Sequence, residues 1–210
     1  MTEKEQTRFS QERTALVQML QTERLTLHPF GSDEKELAAI CRIFGDKEVN
    51  RFLPWFPIKD QTAARQFYEE RMAPVYESGL GAYYAVCLQE APTEPIGYVT
   101  VSESENHDLG YGLLPQWQRR GLITEAVRGV VAAMAAGNWQ YVTATHDVNN
   151  PASGRVMEKA GLTYRYSYNE QWQPKNKRVT FRLYQKNFDG RDWTYKGYWD
   201  RYPEHFVEGV

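Results

Sequence analysis

Strands are marked along this chain by short runs in which apolar and polar residues alternate, or in which apolar residues are continuous. Thr22–Phe30 alternates, as a first strand with one buried face would. Asp108–Leu114 is apolar enough for a buried strand, and Pro115 ends it because proline cannot donate to a sheet ladder. The same criteria predict strands at Ala82–Leu88, Pro95–Val101, Tyr141–His146, a stretch opening at Gly161–Leu162, and Arg178–Lys186.

Helices are predicted where apolar residues recur at helical spacing between capping residues. Asp60 is the expected N-cap of one of them, and Gly79 ends it. The proline-rich stretch Asn50–Pro57 is unsuited to a regular element. The predicted helices follow Ser32-Asp33, cover Gln61–Ser78, run from Leu122 to a C-cap at Gly137-Asn138, and cover Pro151–Ala160.

The order of these elements predicts an α+β fold with a central mixed, mostly antiparallel sheet flanked by helices. Hairpin-like connections between Ala82 and Leu114 indicate antiparallel pairing. A helix separates Asp108–Leu114 from Tyr141–His146, and such a crossover predicts that these two strands run parallel. We divide the chain into an extension over residues 1–21, a domain over 22–188 and an aromatic extension over 189–210.

The two extensions leave alternatives open. Thr2–Gln21 is predicted to be helical, and its apolar stripe packs on the domain edge or forms a dimer contact. The C-terminal extension carries too many aromatic residues for a disordered tail, so it packs on the domain or on a second subunit. We therefore expect a homodimer, because such a tail exceeds what one small domain surface should expose.

Composition and charge exclude several classes of protein. A net charge of −2 gives no support for nucleic-acid binding, which normally shows as a basic face. No apolar run approaches the roughly 20 residues of a membrane span, and the polar N-terminus is unlike a signal peptide. Cys41 and Cys87 lie in apolar elements without metal-like spacing, which predicts buried free thiols, a cytoplasmic location and no metal site.

The turn from Arg119 to Gly121 has the chemistry of an anion site. It stands where a helix begins, so its backbone N–H groups have no intrahelical acceptor. Gly121 lets the backbone approach a ligand, and the helix dipole and two arginines attract negative charge. The turn is therefore either a phosphate or pyrophosphate site or an ordinary strand-to-helix turn with solvated arginines.

A resemblance favours the first alternative. Gln118–Ile123 resembles the pyrophosphate loop Q/R-x-x-G-x-G/A of the GNAT acetyltransferase superfamily, with Ile123 in place of the final small residue. The following Thr124-Glu125-Ala126 and the opening Thr22-Glu23-Arg24-Leu25 are similar to phrases of its bacterial-type RimJ/RimL-like branch, the ribosomal-protein N-terminal acetyltransferases. Asn150–Leu162 resembles N-x-x-S-x-x-V-x-E-K-x-G-F, and Ile96-Gly97-Tyr98 resembles I-G-x.

The resemblance implies a GNAT fold and acetyl-CoA as cosubstrate. In that fold the two parallel strands splay apart, and the pantetheine of CoA lies in the gap as an added strand would. The backbone of Leu113 and Leu114 and the side chain of Asn150 would contact it, although Asn150 could also cap the helix at Pro151. The expected loop residues around the pyrophosphate are Gln118, Arg119, Arg120, Gly121, Leu122 and Ile123.

The reaction that the resemblance implies is acetyl transfer to a primary amine, either a protein N-terminus or a small molecule. The amine must lose a proton before it attacks, and Glu103, Glu105, His107 and Asp108 are the base candidates, of which we select Asp108. A backbone N–H near Leu113 would stabilise the oxyanion. The branch assigns protonation of the leaving thiolate to the serine of N-x-x-S, here Ser153, unless Ser153 only caps or packs. A non-catalytic acyl-CoA-binding or sensor module is the alternative function.

Overall fold

The computed structural model describes residue 16 and residues 18–209. Most of the predicted N-terminal helix, Thr2–Gln21, therefore lies outside the described residues. Its last two residues form a strand instead, because Leu20 and Gln21 pair with Leu27 and Thr26 across a tight hairpin. No helix among residue 16 and residues 18–209 has the length and apolar character that crossing a membrane requires.

The first sheet has five antiparallel strands in sequential order. Meander connections join its last three strands, so the predicted antiparallel pairing is confirmed. Pro115 follows the last strand directly and begins a short 3-10 turn over Pro115–Trp117. The strands are β1 (Leu20–Gln21), β2 (Leu25–Pro29), β3 (Ala82–Leu88), β4 (Gly97–Val101) and β5 (Leu109–Leu113).

The second sheet has four antiparallel strands in the order β6-β8-β7-β9. The last predicted strand thus lies between its two predecessors, and a two-residue strand from the C-terminal extension is added at the edge. Its strands are β6 (Tyr141–Asp147), β7 (Thr163–Trp172), β8 (Lys177–Asn187) and β9 (His205–Phe206).

The predicted helices form where their caps indicate. Asp33 and Asp60 accept hydrogen bonds from the backbone N–H groups of their helices. The predicted helix Gln61–Ser78 is broken by a π-helical turn over Tyr68–Met72, because Pro74 has no N–H to give the helical ladder. The α-helices are α1 (Glu34–Phe44), α2 (Lys47–Asn50), α3 (Gln61–Phe67), α4 (Ala73–Ser78), α5 (Leu122–Ala136), α6 (Pro151–Lys159) and α7 (Gly197–Arg201).

The two sheets meet at one parallel bridge, between Asp108 and Thr143. There the Thr143 N–H donates to the His107 carbonyl at 3.4 Å. Beyond the bridge β5 pairs only with β4 and β6 only with β8, so the two strands diverge. The predicted parallel relationship and the predicted splay between β5 and β6 are therefore both confirmed.

Helix α5 supports both sheets from one side. Its buried side chains join a core that includes Val99 and Val101 of the first sheet and Val142 and Ala144 of the second. Helices α1, α3 and α4 cover the opposite face of the first sheet, around Phe44 and Tyr98. The buried side chains of α5 are Leu122, Ala126, Val127, Val130, Val131 and Met134.

The aromatic C-terminal extension covers the opposite face of the second sheet. Tyr198 and Tyr202 stack on Tyr168, each with ring centroids 4.9 Å apart. The Tyr166 hydroxyl donates to the Tyr195 carbonyl at 2.9 Å, which fixes the segment before α7. The extension therefore packs on its own chain, and the exposed aromatic surface that motivated the homodimer is largely used within the monomer.

Candidate active site

The divergence of β5 and β6 opens a cleft of about 1200 Å³ between the two sheets. Most of the site residues predicted from the sequence line it, although they come from separate parts of the chain. Three do not, because Leu114 and Leu122 point into the core and Arg120 lies over the Trp117 ring at 5.0 Å. The predicted residues that line the cleft are Asp108, Leu113, Gln118, Arg119, Gly121, Ile123, Asn150 and Ser153.

The predicted anion turn has an open helix N-terminus. Gly121 has φ +76° and is the residue before α5, and Arg119 has φ +62°. These left-handed residues turn the chain sharply into the helix. Among the described residues, the N–H groups of Leu122, Ile123 and Thr124 have no acceptor. The positive end of the helix dipole is thus available to an anion beside the Arg119 guanidinium.

A network from the start of the chain braces this turn. Glu125, in the first turn of α5, accepts hydrogen bonds from the Thr22 hydroxyl at 2.6 Å and from the Arg24 backbone N–H at 2.8 Å. Arg24 also pairs with the Glu125 carboxylate at 2.6 Å and donates to the Arg120 carbonyl at 3.1 Å. Two segments that resemble family motifs, 101 to 103 residues apart at these contacts, therefore meet and hold the loop in place.

The free edge of β5 faces the gap between the sheets. In an antiparallel pair, alternate residues bond to the neighbouring strand and the others point away from it. The Leu114 N–H donates to the Ile96 carbonyl. By the alternation, the backbone groups of Gly112 and Gly110 bond to β4 as well. The N–H groups of Tyr111 and Leu113 therefore point into the gap.

The register also bears on Leu114, which we expect to contact the pantetheine. The Leu114 N–H donates to the Ile96 carbonyl, and the Leu114 carbonyl accepts from the Trp117 N–H, both at 2.9 Å. Both backbone groups of Leu114 are thus bonded within the chain, and the open N–H groups of β5 are those of Tyr111 and Leu113. The Gln118 side chain donates to the Leu113 carbonyl at 2.9 Å, which leaves the Leu113 N–H as the open group.

Ser153 faces β5 from the first turn of α6. Its hydroxyl lies 2.9 Å from the Tyr111 hydroxyl, which also donates to the Ser153 carbonyl at 2.8 Å. Since the phenol has one proton and the carbonyl can only accept, the Ser153 hydroxyl donates to Tyr111 in this arrangement. Burial raises the pKa of Tyr111, so its hydroxyl stays protonated. Asn150 holds the N-cap position of α6 but makes no side-chain cap, so its amide is free to meet a ligand.

Asp108 lies where the two sheets meet. Burial raises the pKa of its carboxyl group to about 7, the Thr143 hydroxyl at 3.4 Å opposes this rise, and the nearby Glu170 carboxylate adds to it. The Thr143 hydroxyl donates more closely to the Asn106 carbonyl, at 2.6 Å. A carboxyl group with a pKa near 7 is partly ionised at neutral pH, as a general base should be.

The other base candidates are placed differently. Glu103 lines the cleft but accepts a hydrogen bond from the Ser78 hydroxyl at 2.8 Å. His107 is buried against the rings of Trp139 and Tyr141 and does not line the cleft. Glu105 also lies outside it. Within the described part of the chain, no three His, Cys, Asp or Glu side chains come together as a metal site would require.

A polar contact joins the turn between β7 and β8 to α2. The Lys175 ammonium group, in the turn between β7 and β8, donates to the backbone and side-chain oxygens of Asn50, both at 2.8 Å. Asn50 ends α2, so this contact joins the second sheet to the helical segment that follows α1. Tyr198 and Tyr202 of the C-terminal extension line the cleft.

Comparison with known proteins assigns the family. Residues 24–163 match the family model described as Acetyltransferase (GNAT) domain, and the chain belongs to that family. No curated protein matches the chain.

Solved structures share the fold at low sequence identity. A GNAT-family acetyltransferase from Bacillus anthracis is 20% identical, with a TM-score of 0.67 over 82% of this chain and 99% of its own. RimL, a ribosomal L7/L12 alpha-N-protein acetyltransferase solved with coenzyme A, is 17% identical, with a TM-score of 0.70 over 83% of this chain and 100% of its own. An enzyme from Salmonella typhimurium that modifies the N-terminal serine of L7/L12 is 14% identical, with a TM-score of 0.69 over 81% of this chain and 99% of its own.

The predicted superfamily, the GNAT fold and the acetyl-CoA-dependent acetyltransferase function are thereby confirmed, and the RimJ/RimL-like resemblance is confirmed at the level of the fold. The non-catalytic alternative gains no support.

The structure places two groups of residues in the cleft that the sequence did not single out. Tyr111 falls within Asp108–Leu114, the stretch predicted to be a buried strand, although a phenol in an apolar strand needs a polar partner. Tyr198 lies in α7 and Tyr202 directly follows that helix, and their spacing of four residues places both on one face.

Proposed function

We propose that this protein transfers the acetyl group of acetyl-CoA to a primary amine by direct attack, with Asp108 as the base and Ser153 as the acid. The observation that carries this assignment is the arrangement along β5. Its free edge, the open N-terminus of α5 and a carboxyl group with a pKa of about 7 all face one cleft.

The open backbone N–H groups and the side chains of the cleft match the parts of acetyl-CoA. The open N–H groups of α5 and Arg119 would hold the pyrophosphate, and Gln118 and Gly121 would shape the loop around it. Arg120 and Leu122 would contribute their backbone rather than their side chains. The pantetheine amides would pair with Tyr111 and Leu113, with Asn150 on the opposite side. The cosubstrate supplies an activated thioester, and this chain orients it.

The protons that move during the reaction define the roles of the side chains. An amine that arrives as an ammonium ion gives one proton to the Asp108 carboxylate and becomes a nucleophile. Its nitrogen then bonds to the thioester carbon, and the developing oxyanion accepts from a backbone N–H, for which Leu113 and Tyr111 are the open donors. The C–S bond breaks, the Ser153 hydroxyl gives its proton to the sulfur, and the second nitrogen proton passes to the Ser153 oxygen, so that Ser153 ends as a neutral hydroxyl and Asp108 releases its proton to solvent.

Tyr111 would assist Ser153. While Ser153 donates to Tyr111, its proton is not directed at the thiolate. When the thiolate forms, the Tyr111 hydroxyl can turn from the Ser153 carbonyl to the Ser153 oxygen, 2.9 Å away. That rotation frees the serine proton and stabilises the oxygen that loses it.

The acceptor class stays open between a protein N-terminus and a small-molecule amine. The names of the RimL structures support the first, and the enclosed aromatic end of the cleft supports a slender amine that carries an apolar part. The free thiols Cys41 and Cys87 support the proposed cytoplasmic location. A homodimer remains a prediction, and we propose no metal, nucleic-acid or membrane partner.

Thiol release from acetyl-CoA, measured with a panel of peptide and small-molecule amines, tests the function. We expect amine-dependent release that disappears in Asp108→Asn. Saturable acetyl-CoA binding without release for any amine would instead identify an acyl-CoA-binding module.

A further inference from the structure

The face of β5 that points away from α5 has no side chain at two alternate positions. Gly110 and Gly112 occupy them, and both line the cleft. A Cβ at Gly112 would lie 2.5 Å from the Tyr98 ring and 3.1 Å from its hydroxyl oxygen. A Cβ at Gly110 would lie 2.7 Å from the Thr100 hydroxyl. The glycines therefore let two side chains of β4 lean across β5.

Tyr98 is fixed in this position by the core. It pairs with Gly112 in the register of β4 and β5, and its ring stacks on Phe44 with centroids 4.6 Å apart. The side chain is only 4% exposed, yet it lines the cleft. The phenol thus reaches over Gly112 towards the free edge of β5, and its hydroxyl is ordered before any ligand binds.

The Tyr98 hydroxyl forms no hydrogen bond with any residue that the structure describes. A buried phenol normally has a partner. The nearby Tyr76 hydroxyl has two, since it accepts from the Phe30 N–H at 3.0 Å and donates to the Tyr83 carbonyl at 2.7 Å. Burial raises the pKa of Tyr98, so its hydroxyl keeps the proton and can donate it to an acceptor in the cleft.

The groups beside this hydroxyl belong to the reaction centre. Gly112 is followed by Leu113, whose open N–H points into the gap. Tyr111 packs on the core beneath α5, on the other face of the strand, and its hydroxyl reaches Ser153. Burial chiefly raises the pKa of Tyr111, and the Tyr98 phenol adds to that rise, which places both phenols in one region of the cleft.

We propose that the Tyr98 hydroxyl donates a hydrogen bond to the thioester carbonyl oxygen of acetyl-CoA, as a second donor beside the Leu113 N–H. The proposal adds a catalytic residue to the proposed acetyltransferase and so rests on that function. Both donors flank Gly112, so one oxygen outside β5 can accept from the two of them. A donor fixed before the reaction stabilises charge on that oxygen without reorganisation. Tyr98 keeps its proton throughout, whereas Asp108 and Ser153 transfer theirs.

Infrared spectroscopy of the bound thioester tests the contact without any amine. Difference spectra of the full-length protein with acetyl-CoA, unlabelled against labelled with carbon-13 at the acetyl carbonyl, isolate the carbonyl stretch. A hydrogen bond lowers the frequency of that stretch. We therefore expect a higher frequency in Tyr98→Phe, which keeps the ring on Phe44 and removes only the hydroxyl.

Tyr83→Phe is the matched control for the infrared measurement. Tyr83 also lines the cleft, but it lies on β3, one strand further from the free edge of β5. Its removal should leave the carbonyl frequency unchanged. An unchanged frequency in Tyr98→Phe, or equal shifts in the two variants, would overturn the proposal.

Kinetics separates this role from a structural one. Tyr98→Phe should lower kcat by roughly 10²-fold or more, as removal of one oxyanion donor does. Its acetyl-CoA affinity should fall by about tenfold at most, the contribution of one neutral hydrogen bond. The pH profile should keep its shape, because Tyr98 does not titrate in this range. An unchanged kcat with a raised KM for the amine would assign Tyr98 to the acceptor and overturn the proposal.

The two measurements also distinguish this proposal from the proposed function. Absence of amine-dependent thiol release, with the infrared shift still dependent on Tyr98, would sink the acetyltransferase function and leave the contact standing. Normal transfer with an unchanged carbonyl frequency would sink the contact and leave the function. Absence of acetyl-CoA binding would overturn both.

Discussion

Tyr111 and Ser153 join the two halves of the molecule across the cleft, with their hydroxyl oxygens 2.9 Å apart. We expect Ser153→Ala to lower turnover by roughly 10²-fold, the low end for acid–base catalysis, because the leaving thiolate loses its donor. Acetyl-CoA affinity should change little, since the hydroxyl acts on charge that develops late. Steady-state kinetics at saturating amine measures both. Turnover within about twofold of the unmodified enzyme would make Ser153 a packing residue.

Tyr111→Phe is the companion variant, because it keeps the ring in the core and removes only the hydroxyl. If Tyr111 supports Ser153, the double variant should be little worse than Ser153→Ala alone, as expected for residues that act as a unit. Additive losses would mean that the two hydroxyls act separately.

The pKa of Asp108 predicts the pH profile. Because the base must be ionised, kcat/KM should rise with pH and level off above about 7, and Asp108→Asn should remove that limb. The limb should stay in place when the acceptor amine is exchanged for one of different pKa. A limb that follows the amine would exclude Asp108 as its source.

The same group affects stability. The pKa of Asp108 is raised in the folded state above its ordinary value of 3.8, so stability should fall as pH rises from about 4 to about 7. At pH 8 the Asp108→Asn variant should therefore melt at a higher temperature than the unmodified protein. A lower Tm would show that the carboxylate has a stabilising partner.

Gly121→Glu should abolish acetyl-CoA binding, because a side chain and a negative charge would occupy the anion turn. The left-handed backbone there, φ +76°, adds strain to any substitution. Gly190→Glu is the control, since Gly190 has φ +74° with nothing within 4 Å of an added Cβ. Calorimetry showing equal affinity in the two variants would move the phosphates away from this turn.

Ile123→Ala tests whether Ile123, at which this loop departs from the family motif, affects acetyl-CoA affinity. Ile123 lines the cleft beside the turn, where the family carries a small residue. If the branched side chain crowds the phosphates, the variant should bind acetyl-CoA more tightly, by a few-fold. An unchanged or lower affinity would show that the loop already accommodates it.

We expect Glu125 to stabilise the loop and not to contact the ligand. Burial alone would raise its pKa, but hydrogen bonds from Thr22 and Arg24 outweigh burial and lower it. Its contribution to stability is therefore present above pH about 4.5 and is lost as pH falls through the lowered pKa. Glu125→Ala should cost about 2 kcal/mol of unfolding free energy at pH 7. Equal Tm values for both proteins at pH 7 would show that the network adds nothing.

Much of the fold follows from local pattern. The caps Asp33 and Asp60, the end of β5 at Pro115 and the start of α5 after Gly121 all depend on residues near in sequence. The position of β8 between β6 and β7 does not, because strand order within a sheet is decided by long-range pairing. The Arg24–Glu125 network was hidden for the same reason, although both residues belonged to recognised phrases.

The site residues likewise divide into those that a local segment predicts and those that only long-range packing brings together. The anion turn is one contiguous segment and was predictable, whereas Tyr111 and Ser153 meet only because α6 packs across β5. The open N–H groups of Tyr111 and Leu113 could not be predicted, because hydrogen-bond register alternates along a strand and the sequence does not show which residues bond to the neighbouring strand. The stacking of Tyr198 and Tyr202 on Tyr168 could not be predicted, because nothing in the sequence shows that the C-terminal extension turns back onto β7.

The position of the free edge of β5 has a consequence for aggregation. An exposed row of unpaired backbone groups is a template on which other chains add strands and aggregate. Here that row lies inside the molecule, with α6 on one side and β6 diverging from a point only a few residues away. A strand needs about 4.8 Å of separation from its neighbour, and a second sheet needs about 10 Å. This row of groups is therefore less open to strand addition by another protein than an edge at the molecular surface would be.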